Sequence, residues 1–280
     1  MTRWIAGGEA RHSLPFDDRS WQYGDGLFET IAIRGGKPRL LDWHMERLDI
    51  GCRRLGLVPP PVATIAADID AAVATADTDT AYALAKLVVT AGQGPRGYAR
   101  AGARTSHYLA VFEGRRLAAE HYRNGVAVRT CNTRLAQQPQ LAGIKSLNRL
   151  EQVLARSEWD DPSIFEGLTC DTDGSLICGT MSNVFIVTDN TLMTPDLSRS
   201  GVAGVMRRQV IEIAHRNELP VAVQSIPRDT LAAASEVFLT NSQFGLLPVA
   251  SLDGRTLDVG EHTRSVARML GDAGIEEMTC

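Results

Sequence analysis

"PQLAGIKSLNRLEQVLARSE" (139–158) is the stretch on which the fold turns. Leu147, Leu150, Val153 and Leu154 recur at helical spacing, which predicts an amphipathic helix over 146–157 with that stripe on its core face. Lys145 stands at the head of this helix, behind the small apolar run "LAGI" (141–144). A lysine held toward the core loses solvation, which favours its neutral form. A neutral amine at pH 7 is a nucleophile that condenses with an aldehyde to give a Schiff base.

The remaining composition limits what surrounds that amine. The chain has 280 residues, 44% hydrophobic and 22% charged, as expected of one large or two medium globular domains. A net charge of −4 gives no basis for binding nucleic acid or an anionic membrane. The N-terminal "MTRWIAGGEARHSLPFDD" lacks the apolar run of a signal peptide, and no stretch approaches the roughly 20 apolar residues of a spanning helix. Five cysteines (Cys52, Cys131, Cys170, Cys178, Cys280) are scattered without a CxxC, which fits reduced thiols in the cytoplasm.

Outward from Lys145, the elements fall into two groups. In the first, "GLFETIAIRGGKPRLL" reads as a hairpin: Phe28, Thr30, Ala32 and Arg34 alternate with Leu27, Glu29, Ile31 and Ile33, and Gly35-Gly36 turns the chain. A helix from about 42 to 56 follows, capped by Asp42, striped by Leu41, Met45, Leu48, Cys52 and Leu55, and ended by Gly56. A second helix and the strands "YALAKLVVTAG" and "HYLAVFEG" complete the group. In the second, many short strands ("GVAVRTC", "SIFEGLTCD", "SLICG", "NVFIVTD", "TLMTP", "PVAVQSI", "EVFLTN") accompany a helix from Val205 to Arg216. The expectation is an α+β fold. It has a small two-layer N-terminal domain (1–115), a linker (116–122) and a larger barrel-like C-terminal domain (123–280) that carries Lys145.

"GQGPRG" (92–97) satisfies G-x-G-x-x-G, but no helical stripe follows, so it reads as a flexible loop rather than a nicotinamide site. That loop carries Arg96, Arg100 and Arg104, candidate ligands for a substrate carboxylate. "DTDG" (171–174) has no glutamate at the twelfth position and reads as a hairpin turn. No HExxH, Cys/His cluster or G-x-S-x-G is present, so no metal site is expected. Three features do suit a phosphate. Gly201 and Gly204 precede a helix, so the N–H groups of Val205 and Met206 point outward along a favourable dipole. "EVFLTNSQFG" ends a strand with Thr240, Asn241 and Ser242. Arg47 lies near an apolar stripe, where a guanidinium needs an anionic partner. A sheltered lysine together with a phosphate site suggests pyridoxal 5′-phosphate, which brings both the aldehyde and the phosphate.

"LAGIKSLNRLEQVLAR" (141–156) resembles the lysine segment of the aminodeoxychorismate lyase family, fold-type IV pyridoxal-phosphate enzymes. "YGDGLFETIAIRGGKPRLLDWHMERL", "GPRGY" and "GVAGVMR" are similar to that family's first hairpin and arginine helix, its loop and its phosphate cup. In looser form these three also occur in branched-chain and D-amino-acid aminotransferases. The resemblance implies a homodimer that splits 4-amino-4-deoxychorismate into 4-aminobenzoate and pyruvate, a step of folate biosynthesis. It implies Lys145 as the Schiff-base lysine and Thr30 close to the reacting carbon. Arg47, the backbone of Val205 and Met206, and Ser242 would hold the phosphate, with Asn148 positioning the ring or phosphate. Arg96 would meet a substrate carboxylate.

One position departs from the pattern. Fold-type IV enzymes place a glutamate against the pyridine nitrogen, and "GSLICGTMSNVF" puts Cys178 there, with Asn183 and Phe185 keeping the frame. A thiol, with a reference pKa of about 8.5, keeps that nitrogen protonated only if it ionises, so the electron sink is expected to be weaker. This disfavours an aminotransferase more than a lyase, whose elimination is driven by forming an aromatic ring. The alternatives are a branched-chain or D-amino-acid aminotransferase and, more remotely, a non-catalytic binding protein on the same fold.

Overall fold

The structure is a computed structural model that describes residues 3–7, 9–11, 13–100 and 102–279; Cys280 lies outside them. It divides into two compact units: Met1–Arg116 with Ile144–Asn148, and Leu117–Gly143 with Arg149–Cys280.

The first unit is built on one antiparallel sheet. Its elements in chain order are β1 (Trp4–Ala6), β2 (Glu9–Arg11), α1 (Arg19–Tyr23), β3 (Gly26–Arg34), β4 (Lys37–Pro38), α2 (Leu41–Leu55), α3 (Val62–Ala74), β5 (Tyr82–Thr90) and β6 (Ser106–Glu113). The strand order is β2-β1-β6-β5-β3-β4. Because strand side chains alternate, Leu27, Ile31 and Ile33 form one buried row, packed with Met45, Leu48 and Cys52 of α2 and Ile65 and Ile69 of α3. Gly56, at φ 67°, closes α2 as expected. Asp42 is not its cap. Leu40 holds that position at φ 53° without a side-chain bond, and Asp42 lies in the first turn, where its charge faces the helix dipole.

The lysine segment belongs to this unit and not to 123–280. β4 pairs only with the far end of β3, at Ile33 and Arg34. The near end is taken by 145–147: Phe28 N–H donates to Lys145 O at 2.9 Å and Leu147 N–H to Gly26 O at 3.0 Å, with Leu27 bridging Ser146. Those backbone bonds satisfy an otherwise open strand edge.

The second unit comprises α4 (Ala119–Asn124), β7 (Val126–Leu135), α5 (Leu150–Arg156), β8 (Ile164–Asp171), β9 (Leu176–Gly179), β10 (Asn183–Thr188), β11 (Thr191–Pro195), α6 (Val205–Arg216), β12 (Val221–Gln224), α7 (Arg228–Ala233), β13 (Glu236–Asn241), β14 (Gly245–Leu252), β15 (Arg255–Thr256), α8 (Glu261–Asp272) and a 3-10 turn (Glu276–Thr279). Residues 116–122 therefore include the start of α4 and are not all linker. The sheet runs β12-β11-β10-β13-β14-β7-β8-β9, with β15 beside β14. Leu176 N–H donates to Ile226 O at 2.8 Å, which ties β9 at one end to the chain just past β12 at the other. The sheet is thereby curled into the expected barrel-like form around Val126, Leu168, Val184, Leu239 and Leu247.

The helix after Lys145 is shorter than its spacing suggests. It begins at Leu150, and its inward residue is Ala155, packed on Cys131 and Trp159. Leu150, Val153 and Leu154, expected on the core face, are 76%, 56% and 61% exposed. The stripe is real, but it points away from its own unit.

Candidate active site

In the first unit, β3 presents two chemically different faces. On the buried row, Glu29 interrupts the apolar residues and is 1% exposed. Its carboxylate accepts from Arg47 Nε at 2.8 Å and from Arg47 Nη2, a bidentate pair, and faces His44 Nδ1 at 2.7 Å. Burial alone would push Glu29 up, but the Arg47 charge and the His44 contact hold it down at about 2. Burial lowers His44, with Arg47 and Lys145 adding to the effect and Glu29 opposing it. The counter-charge that Arg47 needs is thus supplied by the chain itself. Glu29 escaped the sequence reading; its signal was a carboxylate in the buried register between Leu27 and Ile31.

The opposite row carries Phe28 and Thr30. Lys145 Nζ lies 4.3 Å from the centre of the Phe28 ring, and Lys86 Nζ lies 5.4 Å from it. Lys86 is the register partner of Thr30 on β5, so the two side chains share a face. The structure therefore brings together Lys145, Phe28, Thr30 and Lys86, and Lys86 was not among the expected site residues. Asn148 is exposed, with its Oδ1 against Gly24, where an added Cβ would stand 2.6 Å away. Of the loop arginines, Arg100 is committed to Asp25, through Nε at 2.9 Å and through Nη2, and to Leu55 O. Arg96 is exposed on the same loop and makes no hydrogen bond or ion pair among the described residues.

The second unit holds the anion-type features. α6 starts at Val205 with Gly204 as its N-cap and no side chain capping it, so its first N–H groups have no side-chain acceptor. Gly204 is pressed on Asn183: an added Cβ would fall 1.9 Å from Asn183 Oδ1, while Asn183 Nδ2 donates to Val202 O at 2.9 Å. Opposite Asn183 in register stands Thr240, fully buried, whose hydroxyl has no partner among the described residues. Ser242 is half-buried two residues further on. Glu166, also fully buried, holds the turn before Asn183 by accepting from Thr180 Oγ1 at 2.5 Å, Met181 N–H at 3.1 Å and Ser182 Oγ at 2.9 Å. An uncapped helix start, a glycine that leaves no room for a side chain and an orphaned hydroxyl fit an anionic group such as a phosphate.

Cys178 lies in β9 among Leu135, Ile177 and Leu197, with its Sγ 3.6 Å from Thr169 Oγ1. Arg149 interacts electrostatically with Cys178; burial is the main cause lowering this arginine, opposed by Cys178 and Glu151. Among the described residues no group of three or more His, Cys, Asp or Glu is placed to hold a metal ion.

The class follows from the match over most of the chain: it belongs to the amino-transferase class IV family, whose model matches residues 26–252. Within that class it is 35% identical over 260 residues to an aminodeoxychorismate lyase from Vibrio harveyi, covering 89% of this chain and 90% of the relative. A crystal structure of 4-amino-4-deoxychorismate lyase from Pseudomonas aeruginosa matches with a TM-score of 0.90 at 45% identity, covering 96% of this chain and 98% of that one. A D-alanine aminotransferase from Bacillus licheniformis is 27% identical, over 89% of this chain and 86% of the relative.

Proposed function

We propose that this protein is a pyridoxal-phosphate-dependent lyase that splits 4-amino-4-deoxychorismate into 4-aminobenzoate and pyruvate, the step that feeds folate synthesis. The observation that carries the reading is Lys145 Nζ seated on Phe28, on the face of β3 that also bears Thr30. When bound, the cofactor supplies an aldehyde and an electron-withdrawing ring.

Everything else is done by the chain. Lys145 would hold the cofactor through its amine. As a free amine it takes the proton from the amine-bearing ring carbon of the substrate. Phe28, beneath the nitrogen, steadies the ammonium that results. Lys145 or the Thr30 hydroxyl delivers the proton that completes pyruvate. Val205 and Met206 N–H groups and the Ser242 hydroxyl would hold the phosphate and Asn148 would position the ring, whereas Arg47, expected at the phosphate, is neutralised by Glu29 and is given no part in holding it. Arg96 and Lys86 receive the two substrate carboxylates. With Cys178 in place of a carboxylate, the cofactor's ring nitrogen would have no fixed anion there, which suits elimination better than amino-group exchange.

The outward Leu150–Val153–Leu154 stripe of α5 supports a homodimer, because an exposed apolar row on a helix is a docking face. The four described cysteines are free and buried, which suits a place in the cytoplasm. No helix among the described residues is long and apolar enough to cross a membrane.

The test is to mix the purified, cofactor-loaded protein with aminodeoxychorismate and follow 4-aminobenzoate fluorescence. Lys145→Ala is expected to lose more than the ~10²–10⁴-fold of a general acid–base group, since covalent attachment goes too. Borohydride reduction should leave a pyridoxyl group on Lys145. Loss of the yellow colour on adding an amino acid alone, restored by a keto acid, would instead mark an aminotransferase.

A further inference from the structure

Arg96 is exposed on a loop whose course is fixed by other side chains. The loop 93–100 runs without helix or strand, and loops of this kind open locally unless tied down. Its carbonyls are turned onto one guanidinium. Arg19 Nη1 donates to Gly97 O at 2.8 Å, Ala99 O at 3.4 Å and Pro95 O at 3.5 Å, and Arg19 Nη2 to Tyr98 O at 3.1 Å. The Arg19 side chain is 3% exposed, so its charge requires an anion nearby. That anion is Asp25, which accepts from Arg19 Nε at 2.9 Å. The same carboxylate accepts from Arg100 Nε at 2.9 Å and from Arg100 Nη2, at the loop's far end. Asp25 thus bridges the arginine that gathers the loop and the arginine that ends it.

Asp25 is itself fixed by its neighbours. Gly24, at φ 64°, lies against Asn148, and Gly26 lies so close to β5 that an added Cβ would stand 2.3 Å from Val89 O. Gly26 O also accepts the Leu147 N–H that docks the lysine segment. The turn 24–26 therefore touches the Lys145 segment with its backbone and the Arg96 loop with its one side chain. Tyr23 adds a third tie: its hydroxyl accepts from Gly97 N–H at 2.9 Å, and its ring packs against Tyr98.

We propose that Asp25 is a positioning residue. Clasped between Arg19 and Arg100, its carboxylate fixes the course of the 95–100 loop and so the place from which Arg96 meets an anionic, carboxylate-bearing substrate. The part concerning substrate rests on the function proposed above; the part concerning the loop does not. With the charge gone, two guanidiniums face one neutral amide and the Arg100 end is released.

The cofactor-loaded enzyme is tested as Asp25→Asn, as Arg100→Gln (a more exposed site, so a milder change) and in an Arg96→Ala background. Tryptic cleavage after Arg96, followed by mass spectrometry, is expected to speed up about tenfold or more in both loop variants, because cleavage follows the population of the open loop. The KM for aminodeoxychorismate is expected to rise about tenfold with kcat changed less than about threefold, as for a displaced binding group. In the Arg96→Ala background, Asp25→Asn should add less than about twofold to KM, since both changes remove one interaction. Wild-type cleavage rates in both loop variants would overturn the proposal, as would a KM effect of Asp25→Asn that persists undiminished without Arg96. If Arg96→Ala leaves KM unchanged, the substrate role of Arg96 falls, and the cleavage rates still decide whether Asp25 orders the loop.

Discussion

Cys178 is a single side chain with a large chemical consequence. On the function proposed here, a carboxylate at this position would stay charged at neutral pH and keep the cofactor's ring nitrogen protonated, whereas a thiol, with a reference pKa of about 8.5, would do so only if it ionised. Cys178→Glu is therefore expected to raise amino-group exchange with amino acids by about tenfold or more, while lyase turnover moves less than about tenfold. Stopped-flow absorbance with an amino acid alone measures the first, and 4-aminobenzoate fluorescence the second. A rise of several orders of magnitude in lyase turnover would show the cysteine to be a defect rather than a fit.

At the scale of elements, the contact between α2 and β3 is an ionic one inside an apolar layer. Glu29 has an ordinary value of 4.5, lowered to about 2 in the fold, so between those values the unfolded chain binds more protons than the native one. Its contribution is full above about 4.5 and is lost as pH falls toward 2. His44, lowered from 6.5 chiefly by burial, adds a loss that begins once pH drops below 6.5, because the unfolded imidazole protonates first. The urea midpoint should therefore fall on acidification from pH 7 to 3. Glu29→Gln should cost about 3–5 kcal/mol at pH 7 by leaving Arg47 uncompensated, and should flatten the acid part of the curve. A midpoint that rises with acid would contradict this account.

For the molecule as a whole, the outward face of α5 bears on assembly. α5 buries Ala155 against its own unit and turns Leu150 and Leu154 outward, an arrangement that costs a monomer exposed apolar surface. Leu150→Glu together with Leu154→Glu is expected to convert a dimer into a monomer in sedimentation velocity, with far-ultraviolet circular dichroism unchanged. An already monomeric wild-type protein would refute the dimer.

Much was legible in the chain itself. The alternation of β3, the span Val205–Arg216 of α6 and the glycines before it follow from local spacing, which tertiary contacts did not override. Lys145, the glycines before α6 and Cys178 stand out because each is a residue type whose chemistry or backbone freedom differs from its neighbours'. What periodicity left undetermined was direction and partnership. A 3.6-residue repeat states that α5 has an apolar face but not what that face meets, and burial of the small Ala155 turned it outward. It also gave no sign that 144–148 would leave its neighbours in the chain to cover the open edge of β3. Nor did it reveal that Arg47 and Arg100 would be claimed by Glu29 and Asp25. Helical and strand propensity act between residues a few positions apart, whereas strand edges and buried charges are satisfied by whatever the folded chain brings within about 3 Å.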